Sequence, residues 1–197
     1  ATFIKDTVIN LDTQNQKVYL KDNPSVSFDV LSINSGSISN NQNTNFDYES
    51  KVIPVKPINS LVSNLSHIDV LVEKSSQKKV SVVGGGVAAF ELSFALYKRY
   101  NGNISLNIIS PQILVEKNLN KSSINRLKKI AKNLGIVLIS NQVNAIKNLE
   151  ITLDNENKIQ SDCILLSTGA SLPDWLEKSD LEKTENFIAI NHQLQSL

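Results

Sequence analysis

The residues whose types and spacing can do chemistry stand together in Val80-Ser81-Val82-Val83-Gly84-Gly85-Gly86-Val87-Ala88-Ala89-Phe90-Glu91. A short apolar run enters three glycines and leaves into a helical pattern, which fits G-x-G-x-x-G/A with Ala89 as the third small residue. Gly84 permits the tight turn, and Gly86 removes the Cβ that would hold a diphosphate off the backbone. Ala89 is small enough for the helix to lie close to the strand. The helix tip then offers N–H groups and a partial positive charge, the chemistry that holds the pyrophosphate of a dinucleotide. The same glycines would also serve a turn used only for close packing, so the surrounding elements have to decide.

From Lys79 onward those elements read strand, glycine turn, helix, strand, helix, strand, the pattern of βαβ units around a parallel sheet. Lys79–Val83 is a strand buried on both faces. A helix runs from Gly86 to about Tyr100 and ends near Asn101-Gly102, and Ile104–Ile109 makes the second strand. Ser122 or Ser123 caps a second helix with Ile124, Leu127, Ile130, Ala131 and Leu134 on one face and Gly135 past its end, before a strand at Ile136–Ile139. Short β segments follow at Val143–Ile146, Leu149–Leu153 and Asp162–Ser167. The fold class is therefore α/β: a Rossmann-like NAD(P)-binding domain with a parallel sheet and a β-meander.

Ahead of this unit, Val8–Leu11, Lys17–Leu20 and Phe28–Ile33 read as strands, and residues 35–50 as a loop rich in Ser, Asn and Gln. Pro54-Val55-Lys56-Pro57 is extended, and Leu61, Leu65, Ile68 and Leu71/Val72 recur at helical spacing. Asp29 leads an apolar run into Asn34-Ser35-Gly36, as Asp162 leads one into Ser167-Thr168-Gly169. That parallel suggests the end of one nucleotide-binding unit followed by most of a second.

At the end of the second strand the acid that would bind ribose hydroxyls is replaced by Ser110, followed by Pro111, which leaves NADH against NADPH open. Glu91 is either a solvated helix residue or one that faces the cofactor. The 20 basic and 19 acidic side chains give a net charge of +1, with no basic stretch interleaved with aromatics, so nucleic acid is excluded as a partner. The lone cysteine, Cys163, lies in an apolar strand and reads as packing. Two distant histidines, His67 and His192, offer no metal cluster. The most apolar run is broken by Gly84-Gly85-Gly86 and Glu91, which argues against a membrane span, and cytoplasm is the expected compartment. The absence of Met reads either as an internal piece of a longer polypeptide or as modified residues missing from the sequence.

Gly84-Gly85-Gly86 followed by Glu91, the strand ending Ser167-Thr168-Gly169-Ala170, and Asn34-Ser35-Gly36-Ser37 together resemble the pyridine nucleotide-disulfide oxidoreductase superfamily, in its NADH dehydrogenase-like branch. More narrowly, Val55-Lys56-Pro57-Ile58, Pro173-Asp174-Trp175-Leu176 and Phe187-Ile188-Ala189-Ile190-Asn191 with Leu194-Gln195-Ser196 look like the flavoprotein module fused ahead of selenide, water dikinase. The resemblance implies that residues 1–45 are the tail of an FAD-domain segment, 46–76 a linker and helix, and 77–197 the NAD(P)-binding domain with a return segment. It places Gly84, Gly85, Gly86 and Ala89 at the pyrophosphate, Glu91 toward the nicotinamide, Ser110 at the ribose, Thr168 and Gly169 along the dinucleotide, and Ser35 and Gly36 near the flavin nucleotide. It also implies, as partners, the rest of the FAD domain and a fused dikinase domain. The family's first FAD-binding glycine motif and its active-site cysteine pair are not in this sequence.

The expected activity is hydride transfer from NAD(P)H to FAD in a full-length parent, with the cofactors carrying the chemistry and no catalytic side chain named. The alternative is a nucleotide-binding, redox-sensing or docking module without turnover.

Overall fold

The computed structural model of the chain describes residues 1–39, 45–46, 51–74, 77–114 and 119–197. In chain order the elements open with β1 (Val8–Asp12), β2 (Lys17–Leu20), β3 (Val26–Ser27), β4 (Ile38–Ser39), β5 (Asn45–Phe46) and β6 (Val52–Pro54). Next come α1 (Ile58–Lys74), β7 (Lys78–Val83), α2 (Val87–Arg99), β8 (Ile104–Ile109), α3 (Lys121–Asn133) and β9 (Val137–Ile139). After them run β10 (Val143–Lys147), β11 (Glu150–Leu153), β12 (Lys158–Gln160) and β13 (Cys163–Leu166). The last are β14 (Ala170–Ser171), α4 (Asp174–Glu177), β15 (Lys183–Thr184) and β16 (Phe187–Ile188). They group into two compact units, one of residues 1–38 with 170–197, the other of residues 39–169.

The larger unit is built on a five-stranded parallel sheet in the order β6-β13-β7-β8-β9. Strand side chains alternate between faces, so the pattern of β7 assigns its residues to two cores. Val80 and Val82 pack with Leu106, Ile108, Leu165 and Cys163 against Leu61 and Ile68 of α1, Ala89, Phe90 and Leu96 of α2, and Ala131 of α3. Val83 packs with Ile109, Ile164 and Leu166 against Val143, Ile146, Ile151 and Leu153 of a meander. That meander, β10-β11-β12, carries β5 in parallel along its β10 edge. Helices thus cover one face of the parallel sheet and the meander covers the other, which is why β7 reads as a continuous apolar run. Ser81 is the polar exception on the meander face; fully buried, its hydroxyl is 2.7 Å from that of Ser161. Across the helical layer, Arg99 grips Asp69 with two hydrogen bonds of 3.0 and 2.8 Å, and Tyr100 donates a third at 2.9 Å. The Arg99 guanidinium holds the Asp69 carboxyl below its usual range.

The smaller unit holds the sheet β1-β2-β3 and α4 around Leu11, Leu172 and Leu176. Residues 28–33, expected as a strand, form no ladder. Phe28, Leu31 and Ile33 instead press against that core, and Val26–Ser27 takes the place beside β2. The apolar residues were read for their burial, and burial does not require a strand partner. The cap expected for the second helix is also corrected. Asn120, not Ser122 or Ser123, caps α3 by accepting from the Ser123 N–H at 2.8 Å. Residues 46–76 carry not only a linker and helix but also β6, an edge strand of the parallel sheet. The boundary at residue 170 falls inside the stretch expected as NAD(P) domain with return segment.

Ile108 has no solvent exposure in the central layer. Ile108→Ala is expected to destabilise the chain by about 2–5 kcal/mol, read from the urea unfolding midpoint; a loss under about 1 kcal/mol would contradict this packing.

Candidate functional site

In the parallel sheet Val83 stands opposite Leu166 on one side and Ile109 on the other, so β7, β13 and β8 end together. Their exits, residues 84–86, 167–169 and 110–114, therefore lie at one edge of the larger unit. The chain leaves β7 for β8 and β9 on one side and returns to β13 on the other. A crevice opens at the carboxyl ends of the strands where the order reverses in this way.

Gly84 adopts φ +134°, and its N–H donates to the Ile109 carbonyl at 2.8 Å. The Ser167 N–H donates to the Val83 carbonyl at 2.7 Å. A Cβ on Gly84 would lie 2.0 Å from the Ser167 carbonyl oxygen, so glycine is required by the passage of the β13 exit as well as by the turn. Gly86 is the N-cap of α2, extended at φ −77° and ψ 177°, and as a glycine it offers no side-chain oxygen of its own. The first turn of α2 holds no acid. With a glycine at the N-cap and no acid in its first turn, α2 keeps the partial positive charge of a helix N-terminus at this edge.

Gly85 has a different job. A Cβ there would lie 2.1 Å from the Gln112 carbonyl oxygen and 2.7 Å from both Cβ and Oγ of Ser110. The Gly85 carbonyl accepts from the Leu114 N–H at 2.7 Å. The middle glycine thus lets the β8 exit fold against the turn, a contact that the motif's unspecified position does not announce.

Ala89 is fully buried, and its carbonyl accepts from the Ser93 hydroxyl at 2.7 Å, in keeping with its role in close helix packing. Glu91 is exposed although Phe90 beside it is fully buried. The half-buried Ser110 turns its hydroxyl back on its own loop, donating to the Gln112 carbonyl at 3.0 Å and accepting from the Gln112 N–H at 3.4 Å. Thr168 is half-buried, and Gly169 is exposed at φ +95°. Gly84, Gly85, Gly86, Ala89, Ser110, Thr168 and Gly169 are thus gathered by one sheet edge. Ser35 and Gly36 belong to the smaller unit, both exposed, with Gly36 at φ +74°.

Sequence reasoning passed over Asp162 except as a strand leader. Its carboxylate accepts from the Lys79 N–H at 2.9 Å and from Lys78 Nζ at 3.3 Å, pinning the start of β13 to the start of β7. Cys163 is buried, which pushes its thiol up to about 12 and leaves it without thiolate at neutral pH. Among the described residues no three His, Cys, Asp or Glu side chains converge as metal ligands, and no helix is long and apolar enough to cross a membrane.

The profile of the family described as pyridine nucleotide-disulphide oxidoreductase matches residues 1–197. No curated protein matches the chain. Among solved structures it is similar to a ferredoxin reductase for the CYP199A2 system from Rhodopseudomonas palustris, with TM-score 0.77 and 15% identity over 98% of this chain and 47% of that one. A water-forming NADH oxidase from Lactobacillus brevis, bound to NADH, gives TM-score 0.73 and 18% identity over 91% of this chain and 40% of that one. An FAD-dependent pyridine nucleotide-disulphide oxidoreductase from Desulfovibrio vulgaris gives 0.72 and 16% over 99% and 51%. At these identities the likeness is one of fold, and the chain spans about half the length of these proteins or less.

Gly84→Ala is expected to cost about 3 kcal/mol or more, from positive-φ strain and the clash with the Ser167 carbonyl. A change under about 1 kcal/mol in urea unfolding would show that the two strand exits are not in contact. Cys163 is expected to react with an aromatic disulfide reagent only after denaturation; full reaction within seconds in native buffer would contradict its burial.

Proposed function

The chain belongs to the pyridine nucleotide-disulphide oxidoreductase family, and on that premise we propose that it is the NAD(P)H-binding part of an FAD-dependent oxidoreductase that passes hydride from NAD(P)H to FAD. One observation carries the reading: the Gly84–Gly86 turn joins a central parallel strand to a helix whose N-cap is glycine and whose first turn holds no acid, at the point where strand order reverses. The backbone N–H groups of this tip hold the diphosphate, an arrangement that suits two closely spaced anionic charges. Thr168 and Gly169 border the dinucleotide from the neighbouring strand exit. Ala89 keeps α2 close enough to β7 for the tip to face the crevice, and Glu91 lies toward the nicotinamide end.

Bound flavin supplies the hydride acceptor, so the protein's task is to bind, orient and exclude water. Ser35 and Gly36 are assigned to the flavin nucleotide in the full-length parent, whose remaining FAD domain is the first partner. The sequence likeness to the module ahead of selenide, water dikinase makes that kinase the fused domain to look for. A cytoplasmic setting suits the lone buried thiol.

Anaerobic titration of the full-length protein with NADH tests the reading, with bleaching of the flavin band as the expected result. NADH binding with no bleaching would overturn hydride transfer in favour of a binding module. The 197-residue chain alone is expected to bind the coenzyme weakly and to turn nothing over; NADH oxidation by it without added flavin would contradict the division of labour.

A further inference from the structure

The exit of β6 brings a lysine to the edge where the other strands end. Pro54 of β6 pairs with Leu166 of β13, Leu166 with Val83 of β7, and Val83 with Ile109 of β8, so the four strands finish at one level. Two residues beyond that row come Lys56, Thr168 and Gly85. The β6 and β13 exits stay side by side there, because the Val55 N–H donates to the Leu166 carbonyl at 3.1 Å. Val52 and Leu166 pack into the meander core and Val55 against the helical one. Alternation then sets Lys56 and Thr168 on the same side of the sheet as neighbours, one strand spacing of about 4.8 Å apart.

The backbone at Lys56 is held in place. The buried Ser39 hydroxyl accepts from the Lys56 N–H at 3.2 Å and donates to the Lys56 carbonyl at 3.4 Å, and α1 begins directly afterwards at Ile58. Lys56 itself is half-buried, and its flexible four-carbon stem can swing the ammonium toward an anion while that backbone stays fixed. In a dinucleotide fold the adenosine ribose belongs to the exit of the second strand, here β8. The exits of β13 and β6 lie on the other side of the Gly84–Gly86 turn, so the nicotinamide half runs along them. From the turn to Lys56 is two strand spacings, about 10 Å, and the lysine stem spans a large part of that gap. We infer that Lys56 is a binding residue of the dinucleotide site proposed above, on which this inference rests, its ammonium serving as counter-charge to the diphosphate from the nicotinamide side.

Calorimetric titration of the complete 197-residue chain with NADH tests this. Lys56→Gln is expected to weaken NADH about fivefold at low salt, the effect of one charge pair a few ångströms apart in water, and Lys56→Arg to restore most of the loss. The gap between native protein and Lys56→Gln is expected to close at about 0.5 M salt, where charges a few ångströms apart are screened. A loss that persists at high salt, or that arginine does not restore, would mark a structural role and overturn the inference. So would an unchanged NADH affinity in Lys56→Gln, and in each case the site itself survives. Should Lys56→Gln fail to fold by circular dichroism, acetylation of the native protein decides: NADH is expected to slow labelling of Lys56 several-fold, and equal rates with and without NADH overturn the inference. No binding of NADH by the native chain at millimolar concentration removes the proposed site and the inference with it.

Discussion

The larger unit depends on one close approach. At Gly84 the backbone of β7 passes the exit of β13 with no room for a Cβ, and both flanking hydrogen bonds, Gly84 to Ile109 and Ser167 to Val83, are made at that level. A turn drawn this tightly between two parallel strands sends α2 back along the sheet at once. The helix N-terminus therefore stands at the strand ends, and its partial positive charge is concentrated there.

The layers on either side of the sheet keep that approach in place. Val80 and Val82 are gripped by the helices, and Val83 by the meander, so β7 can neither slide nor twist without opening one of two cores. Asp162 fixes the opposite end by tying the start of β13 to Lys79. The bidentate Arg99–Asp69 pair spans α1 and α2 on the outer surface, where water screens it. Its contribution is orientation of the two helices more than stability, whereas the buried apolar layers carry the energy.

Much of this was legible in the chain. β2 and β8 follow directly from apolar runs bounded by turn residues, and the face of α1 from the spacing of Leu61, Leu65 and Ile68. The glycine motif was legible because each small residue answers a local demand. What the sequence hid lies where residues distant in the chain decide the outcome. Phe28, Leu31 and Ile33 look like a strand because burial alone sets their pattern, yet among the described residues no strand pairs with them. The capping role passed to Asn120 because its side chain reaches the Ser123 N–H one turn ahead, which makes the following serines helical residues.

The middle glycine shows why a motif under-describes a site. In the G-x-G-x-x-G pattern position 85 is unconstrained, but here a side chain would strike the loop that returns from β8. That loop is held by the Leu114 N–H on the Gly85 carbonyl and by two buried apolar residues, so the turn and the loop form one piece. Any side chain at position 85 would push that loop away from the turn. The middle one of the three consecutive glycines is thus a consequence of how close the second strand's exit comes to the first.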